Sequence, residues 1–406
     1  MSSSTPKTYH WLTVATGLLM LTVSNGLINS SISVFDEPLI KEFGWKVGQL
    51  KFREFVTSAV AFFLVFGSGS LIDKFGAKRL MLVGGASLAL AFGLYSRIGS
   101  LYQMYAVHIL LATALVSAGT IAAIVLISGW FSERRGLALG ITFMGTSMGG
   151  VVFPKPIAAL IADYGWRTTM LIVIALPTFF FFWTLIFVRN TPQERGLKPF
   201  GQTESQTDDG LLKTGLSYAE ATKTTMFWLI AVSGFFTFYS VVGLMSNTFL
   251  YMRQLGYEPK TAATALSYFA FCSLSGKLII SSLSDYFSPY KVFAFCCAGM
   301  CLGSLGHVLM DKDLIWFTIP VMALSWGGMY TLYNLITVRS FGLKATGKIN
   351  GTISMFESAG AALGPWLTGV LFDQTQSYQT GFAIISLMLF CCALVASQFS
   401  RFAIKI

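Results

Sequence analysis

The chain has 406 residues, of which 54% are hydrophobic and 11% are charged, and its formal net charge is +10. A soluble domain has about 25% charged residues, so this composition excludes a string of soluble domains and predicts a membrane protein. The basic residues are scattered between apolar runs and form no patch or stripe, which argues against a nucleic-acid partner.

Twelve apolar runs are long enough to cross a hydrocarbon layer about 30 Å thick. Their approximate limits are 11–33, 50–72, 79–97, 102–128, 138–160, 167–188, 227–250, 261–283, 291–309, 314–337, 350–372 and 380–400. The first run is too long for the apolar core of a signal peptide, so we expect it to remain as a span. An even number of spans places both termini on one side. The excess of lysine and arginine in the loops of that side predicts that it is cytoplasmic.

A polar segment, 190–224, divides the twelve runs into two groups of six. Its Gln, Ser, Thr, Asp and Gly content predicts a flexible cytoplasmic linker. The predicted organisation is therefore an N-terminal six-helix bundle in 1–189, the linker, and a C-terminal six-helix bundle in 225–406.

The two predicted bundles repeat each other. At an offset of 211 residues, Gly136, Gly140 and Pro154 recur as Gly347, Gly351 and Pro365. A parallel repeat of six-span halves is typical of a transporter that rocks about a central site.

The loop after the second run reads Gly69-Ser70-Leu71-Ile72-Asp73-Lys74-Phe75-Gly76-Ala77-Lys78-Arg79. It resembles the signature loop between the second and third spans of the major facilitator superfamily. Asp285 ends the eighth run, in a degenerate second copy of the loop. The resemblance implies an all-α integral membrane protein with twelve transmembrane helices in two pseudo-symmetric six-helix bundles. It also implies a role in conformational gating for Gly69, Asp73, Gly76, Lys78, Arg79 and Asp285.

Other segments are similar to the monocarboxylate porters and oxalate/formate antiporters of that superfamily. They are 130–138 (WFSERRGLA), 165–167 (GWR), 195–199 (RGLKP) and 325–330 (SWGGMY). In that group a cation in the eighth span, usually arginine, binds the substrate carboxylate. Lys277 holds the corresponding place, eight residues before Asp285. A lysine offers a point charge where arginine offers a bidentate fork, so the recognition geometry can differ.

Lys277 and Glu357 are predicted to lie at a similar depth in the bilayer. Eight helical residues span about 12 Å, so a surface position for Asp285 puts Lys277 near the bilayer centre. A lysine there costs about 3 kcal/mol or more and needs a partner. We expect Lys277 to bind a substrate carboxylate and Glu357 to couple protons. A structural ion pair between the two is the alternative.

Polar and aromatic residues on the first, fourth, seventh and tenth runs complete the candidate substrate site, because these spans line the cavity in the superfamily. They are Asn25, Asn29, Thr120, Asn247, Trp326, Tyr330 and Asn334. Plain packing is an equal alternative for Trp326. Lys155 either attracts anions or snorkels to the outer surface. Arg53 and His108 are expected to be anchors at the outer interface.

No metal site, cofactor or enzymatic activity is predicted. The six cysteines lie in apolar runs without zinc-ligand spacing, and the three histidines are far apart. We expect reduced, buried thiols. No hydrolase, metalloprotease or phosphate-loop motif is present in the sequence, so transport is expected to run on existing gradients.

The favoured function is secondary transport of a small organic anion, a lactate-, pyruvate- or acetate-like monocarboxylate. Transport would proceed by alternating access with proton symport, across the plasma (inner) membrane, and as a monomer. Anion exchange of the oxalate/formate type and proton-coupled efflux of amphipathic or aromatic compounds are the alternatives. A receptor without flux would need a signalling domain, and the 190–224 segment is too short to be one.

Overall fold

The structure, a computed structural model, describes residues 5–201, 215–342 and 344–402. These residues form helices and, apart from two isolated β-bridges, no strand. The helices before the polar segment are α1 (Thr5–Asn25), α2 (Asp36–Phe43), α3 (Val47–Phe75), α4 (Ala77–Tyr95), α5 (Leu101–Ser117), α6 (Thr120–Trp130), α7 (Arg135–Val152), α8 (Pro154–Val173) and α9 (Ala175–Phe187). Those after it are α10 (Tyr218–Ala221), α11 (Thr225–Gln254), α12 (Pro259–Tyr286), α13 (Pro289–Val308), α14 (Lys312–Phe341), α15 (Thr346–Thr375), α16 (Gln379–Ser397) and α17 (Phe399–Phe402).

Within these described ranges, eight helical stretches are long and apolar enough to cross a membrane. One of them, Arg135–Phe187, has 53 residues. That corresponds to about 80 Å of helix, enough for two crossings of a layer about 30 Å thick. The helices α3, α14 and α15 have 29, 30 and 30 residues, so they are also long enough to cross. The predicted all-α, multi-pass membrane architecture is confirmed.

Some predicted runs are not continuous α-helices. The interrupted runs are 11–33, 102–128, 138–160 and 167–188. Gly26–Ser31 forms a π-helical turn, closed by a 2.7 Å hydrogen bond from the Ser31 hydroxyl to the Gly26 carbonyl. Gly119 separates α5 from α6, Phe153 separates α7 from α8, and Ile174 separates α8 from α9. Hydropathy does not reveal such breaks, because it reports side-chain polarity and not backbone angles.

Helix starts follow local sequence signals. The Asp311 side chain accepts hydrogen bonds of 2.8 and 2.9 Å from two backbone N–H groups at the start of α14. The side chains of Ser100 and Thr224 cap α5 and α11 in the same way. The helices α8, α12 and α13 begin at proline, whose missing N–H costs nothing in the first turn.

Two compact units make up the chain. The first comprises the described residues of 5–44 and 59–201, and the second comprises Trp45–Ser58 and the described residues of 215–402. In the first unit α1 packs on α7, where a Cβ on Gly26 would lie 2.5 Å from Gly149 Cα. In the second, α11 packs on α15 and α12 packs on α14. Small residues permit such close approach of helices within a membrane.

Both ends of the 190–224 segment, which was predicted to be a linker, form hydrogen bonds. Phe200 exchanges backbone bonds of 2.9–3.0 Å with residues 130–133. At the other end Ser217 and Glu220 form a capping box at α10, with the Ser217 hydroxyl 2.7 Å from the Glu220 carboxylate. That hydrogen bond is the largest cause of the lowered pKa of Glu220. The middle of the segment, 202–214, lies outside the described residues.

Candidate functional site

A cavity of about 130 Å³ lies between α11, α14 and α15 in the second unit. It is lined by Phe238 of α11, by Tyr330, Tyr333, Asn334 and Thr337 of α14, and by Asn350, Ile353, Ser354 and Glu357 of α15. On both α14 and α15 the lining positions follow an i, i+3, i+4, i+7 spacing, which is one face of a helix. One water needs about 10–15 Å³, so the cavity has room for a small organic molecule.

Lys277 of α12 is half-buried and contacts one lining residue of this cavity. Its Nζ lies 5.3 Å from the centroid of the Tyr330 ring, within cation–π range. Lys277 is not among the lining residues. Tyr330 thus contacts both the ammonium group and the cavity.

Two glycines determine where Lys277 stands. A Cβ on Gly276 would collide with the Leu324 carbonyl oxygen, and a Cβ on Gly327 would collide with the Ser273 carbonyl oxygen. The backbones of α12 and α14 are thus in direct contact on both sides of this crossing. Because Lys277 follows Gly276 directly, this contact holds its Cα beside the Tyr330 face of α14.

Glu357 is half-buried on the opposite wall of the cavity. Ser354, one turn earlier on α15, hydrogen-bonds its carboxyl group, and its Cγ lies against Gly234 of α11. Glu357 forms no ion pair with any basic side chain of the described residues. The structural ion pair with Lys277, one alternative from the sequence, is not formed. Instead Lys277 lies over the ring of the cavity residue Tyr330, and Glu357 lines the same cavity.

Aromatic rings and hydroxyl groups build the rest of the wall. The Trp326 ring lies 5.6 Å from Tyr330 and 5.3 Å from Phe238, centroid to centroid. The hydroxyl of Tyr333 lies 3.3 Å from both the Ser233 and the Thr237 hydroxyl oxygens. The wall thus combines flat apolar surface with hydrogen-bonding groups, as small-molecule sites do.

The other predicted substrate residues are not among the residues that line this cavity. Asn247 is fully buried in α11 and donates to the Gly243 carbonyl at 2.8 Å. In the first unit the Asn29 side chain donates to Asn25 Oδ1 at 3.0 Å, as expected for residues one turn apart. Thr120 is half-buried at the first position of α6.

The loop between α3 and α4 is held against the end of α9. Gly76 has φ +79°, and a Cβ there would lie 2.6 Å from Asn190 Oδ1. That oxygen accepts the Lys78 backbone N–H at 2.9 Å, and Lys78 Nζ donates to the Leu185 carbonyl at 2.9 Å. Arg79 is exposed. The surroundings of Gly69, Asp73 and Asp285 lie outside the described part of the structure.

Three charged or titratable side chains near the predicted outer ends of the spans differ in burial. Lys155 is exposed at the start of α8. Arg53 and His108, predicted to be interface anchors, are 0% and 2% exposed and lie inside the protein. The prediction failed because helix depth was counted without knowing which face of each helix packs.

A buried polar cluster around Lys51 was not predicted. Lys51 is 0% exposed. Its Nζ donates to the Ser246 carbonyl and lies 2.8 Å from the Ser246 hydroxyl and 3.5 Å from Glu54. Nearby, the Asp373 carboxylate accepts the backbone N–H groups of residues 47 and 48 at 2.9 and 2.7 Å, which caps α3.

Sequence reasoning also missed several lining residues of the cavity. Tyr333, Thr337, Asn350 and Ser354 were not singled out. Their signal was available, because they continue the helical faces of Tyr330 and Asn334 on α14 and of Glu357 on α15. The sequence does not reveal that these two faces meet, since that depends on packing between helices.

Comparison with known proteins adds the following. The family model described as Major Facilitator Superfamily matches residues 15–365. The MFS-type transporter YhjX of Escherichia coli K12 is 22% identical over 367 residues, which cover 86% of this chain and 86% of the relative. Monocarboxylate transporter 13 of Rattus norvegicus is 26% identical over 391 residues, covering 93% of this chain and 86% of the relative. A solved bacterial homolog of the human lysosomal transporter Spinster, inward-facing and unoccupied, matches with a TM-score of 0.79 at 16% identity over 99% of this chain and 98% of that chain.

Proposed function

Because the chain belongs to the major facilitator superfamily, we propose that it is a secondary transporter of a small monocarboxylate of the lactate, pyruvate or acetate type. Transport would proceed by alternating access together with a proton. Family and fold make the protein a multi-pass membrane transporter of a small molecule and not an enzyme. The similarity to monocarboxylate transporter 13 over 93% of the chain supports the choice of substrate class.

The observation that carries the proposal is the position of Lys277 over the ring of Tyr330, a residue that lines the cavity. A lysine within a membrane span is costly unless it has a functional partner. The cavity that Tyr330 lines offers its phenol and the Asn334 amide as hydrogen-bond donors. A substrate carboxylate bound there would accept from these groups and be attracted by the ammonium charge.

Glu357 is the proposed proton carrier. It lines the same cavity and has a hydroxyl group, not a cation, as its neighbour. A carboxylate without a paired cation is costly to bury when ionised, so protonation would accompany occupation of the cavity. Symport of one proton with one monocarboxylate anion would also add no net charge to the protein within the membrane.

The other residues and segments predicted from the sequence have roles in the same proposal. Asn25, Asn29, Thr120, Trp326 and Asn247 would contribute to substrate binding, and Lys155 would attract anions. Gly69, Asp73, Gly76, Lys78, Arg79 and Asp285 would gate the conformational change. We place the monomer in the plasma membrane with both termini in the cytoplasm, and 1–189 and 225–406 as the rocking halves on either side of 190–224.

Uptake of radiolabelled lactate, pyruvate and acetate into proteoliposomes tests the role of Lys277. The attraction between two unit charges about 8 Å apart at an effective dielectric constant of about 20 is about 2 kcal/mol, so Lys277→Met should raise the substrate KM about 30-fold. Lys260→Met is the matched control, because Lys260 is an exposed lysine of the same helix. Wild-type KM in a well-folded Lys277→Met protein would end the proposal.

Proton coupling is tested with Glu357→Gln. This variant should lose uptake driven by a pH gradient but keep exchange of internal for external substrate, because exchange needs no net proton movement. Glu258→Gln, an exposed carboxyl in the second unit, serves as the control. Gradient-driven uptake that survives in Glu357→Gln would favour anion exchange of the oxalate/formate type.

One observation favours a second function, proton-coupled efflux of amphipathic or aromatic compounds. Glu357 lines the cavity whereas Lys277 does not, and three of the lining side chains, Phe238, Tyr330 and Tyr333, are aromatic. A carboxylate among aromatic rings suits an organic cation. In this case Glu357→Gln should abolish transport of an organic cation, and Lys277→Met should leave it intact.

A further inference from the structure

Three sulfur atoms meet where α13, α14 and α16 pack together in the second unit. Cys297 Sγ lies 3.6 Å from Met329 Sδ and 3.6 Å from Cys392 Sγ. The hydroxyl oxygen of Thr237 lies 3.3 Å from Cys392 Sγ and 3.9 Å from Met329 Sδ. All four side chains are 0% exposed. We propose that this sulfur cluster binds a soft monovalent metal ion, copper(I) or silver(I).

The spacing of the sulfur atoms is close to that of a metal site. A metal about 2.3 Å from each sulfur in tetrahedral geometry holds two sulfurs about 3.8 Å apart. The two measured separations are 3.6 Å. A rearrangement of a few tenths of an ångström would admit the ion, and three helices already bring the donors together.

The donor set selects the class of metal. Thiolate and thioether sulfurs favour copper(I), whereas carboxylate, carbonyl and water ligands favour magnesium and calcium. In the described part of the chain no group of three or more His, Cys, Asp or Glu could hold a metal ion. The third donor here is a methionine, which is a ligand for soft ions and not for hard ones.

Charge balance also favours a monovalent ion. Binding replaces one thiol proton by the metal, so that a Cys297 S–H bond breaks, a sulfur–metal bond forms and the proton leaves to solvent. The product is neutral, with Cys392 as a thiol and Met329 as a thioether, and no oxidation occurs. A neutral product suits a buried site, since a net charge there would be costly.

The sulfur cluster is one side chain away from the cavity described above. Tyr333 lines that cavity, and its hydroxyl lies 3.3 Å from Thr237 Oγ1, which in turn contacts two of the sulfurs. A bound ion would join α13, α14 and α16 directly behind the cavity wall. We therefore expect micromolar silver(I) or copper(I) to inhibit transport without competing for the substrate.

Anaerobic titration of the purified full chain with copper(I), in competition with a chromophoric copper(I) chelator, tests the site. We expect one retained copper per chain. Loss of a metal ligand should exceed the roughly 10- to 100-fold effect of outer-shell changes, so Cys297→Ala and Cys392→Ala should each weaken binding at least about 100-fold. Cys391→Ala, one residue away on α16, is the control and should bind as the wild type does.

X-ray absorption at the copper edge of the wild-type complex gives an answer independent of variant folding. Two or three sulfur neighbours at about 2.3 Å support the site. A first shell of nitrogen or oxygen overturns it, as does copper binding by a folded Cys297→Ala/Cys392→Ala double variant equal to that of the wild type. Failure to retain copper in the wild type also overturns it.

Discussion

Replacing Gly327 by alanine tests whether the contact between α12 and α14 positions Lys277. A Cβ at this position would collide with the Ser273 carbonyl oxygen and lie 2.9 Å from the Lys277 backbone nitrogen. Both neighbours are backbone atoms, so a whole helix must move to make room. Overpacking of this kind costs about 1–3 kcal/mol.

Gly351→Ala is the matched control. Gly351 also lies within a helix, α15, but a Cβ there would meet nothing within 4 Å. Alanine is more favourable than glycine within a helix by about 1 kcal/mol. Both variants gain this amount, so it cancels in the comparison. The remaining difference of about 1–3 kcal/mol puts the apparent Tm of Gly327→Ala about 2–12 °C below that of Gly351→Ala.

Thermal unfolding in detergent, followed by tryptophan fluorescence, measures the stability difference, and proteoliposome uptake measures the function. Gly327→Ala should also lose uptake, because separating α12 from α14 moves Lys277 away from Tyr330. Gly351→Ala should keep it. Equal Tm values and equal uptake rates for the two variants would refute the reasoning.

Three further substitutions test individual contacts through the apparent Tm. Asp373→Ala removes the side-chain cap of α3 and should lower stability by about 0.5–2 kcal/mol; an unchanged Tm contradicts the cap. Tyr333→Phe removes a hydroxyl that faces two buried hydroxyls of α11 and should cost about 1 kcal/mol; a more stable variant argues against these bonds. The pKa of Glu220 is lowered in the folded protein by hydrogen bonds from Ser217. The stabilisation that these hydrogen bonds give the folded protein is therefore present above the ordinary glutamate pKa of about 4.3. It is lost as the pH falls through the lowered pKa of Glu220. A Tm difference between wild type and Glu220→Gln that does not shrink in acid would count against it.

Much of the architecture was accessible from the amino-acid sequence. Low charge and long apolar runs predict a multi-pass membrane protein, and the loop at residues 69–79 resembles that of the superfamily to which the chain belongs. These features are local, because hydropathy and loop motifs depend only on neighbouring residues. The break at Gly119 was missed because a change of backbone angle leaves no mark on average hydropathy, whereas Gly165 lies in the gap predicted between the runs 138–160 and 167–188.

The candidate site was accessible in part. Helical periodicity placed Tyr330 and Asn334 on one face of α14, and the estimated depth placed Lys277 and Glu357 at one level. The same reasoning treated Lys277 and Glu357 as possible direct partners, whereas the structure puts Lys277 over the Tyr330 ring and Glu357 beside Ser354. Depth along a helix can be counted from sequence, but the direction of a side chain around it depends on its neighbours.

Hydropathy, repeats and motifs thus account for the multi-pass helical architecture, the family and the most conspicuous buried charges, since each arises within one stretch of chain. Packing between helices decides which faces meet. It creates the cavity between α14 and α15, the enclosure of Lys51 and the convergence of Cys297, Met329 and Cys392. These sulfurs come from three helices separated by tens of residues, so no spacing in the chain reveals them. They meet because glycine and other small residues let those helices approach until their side chains touch.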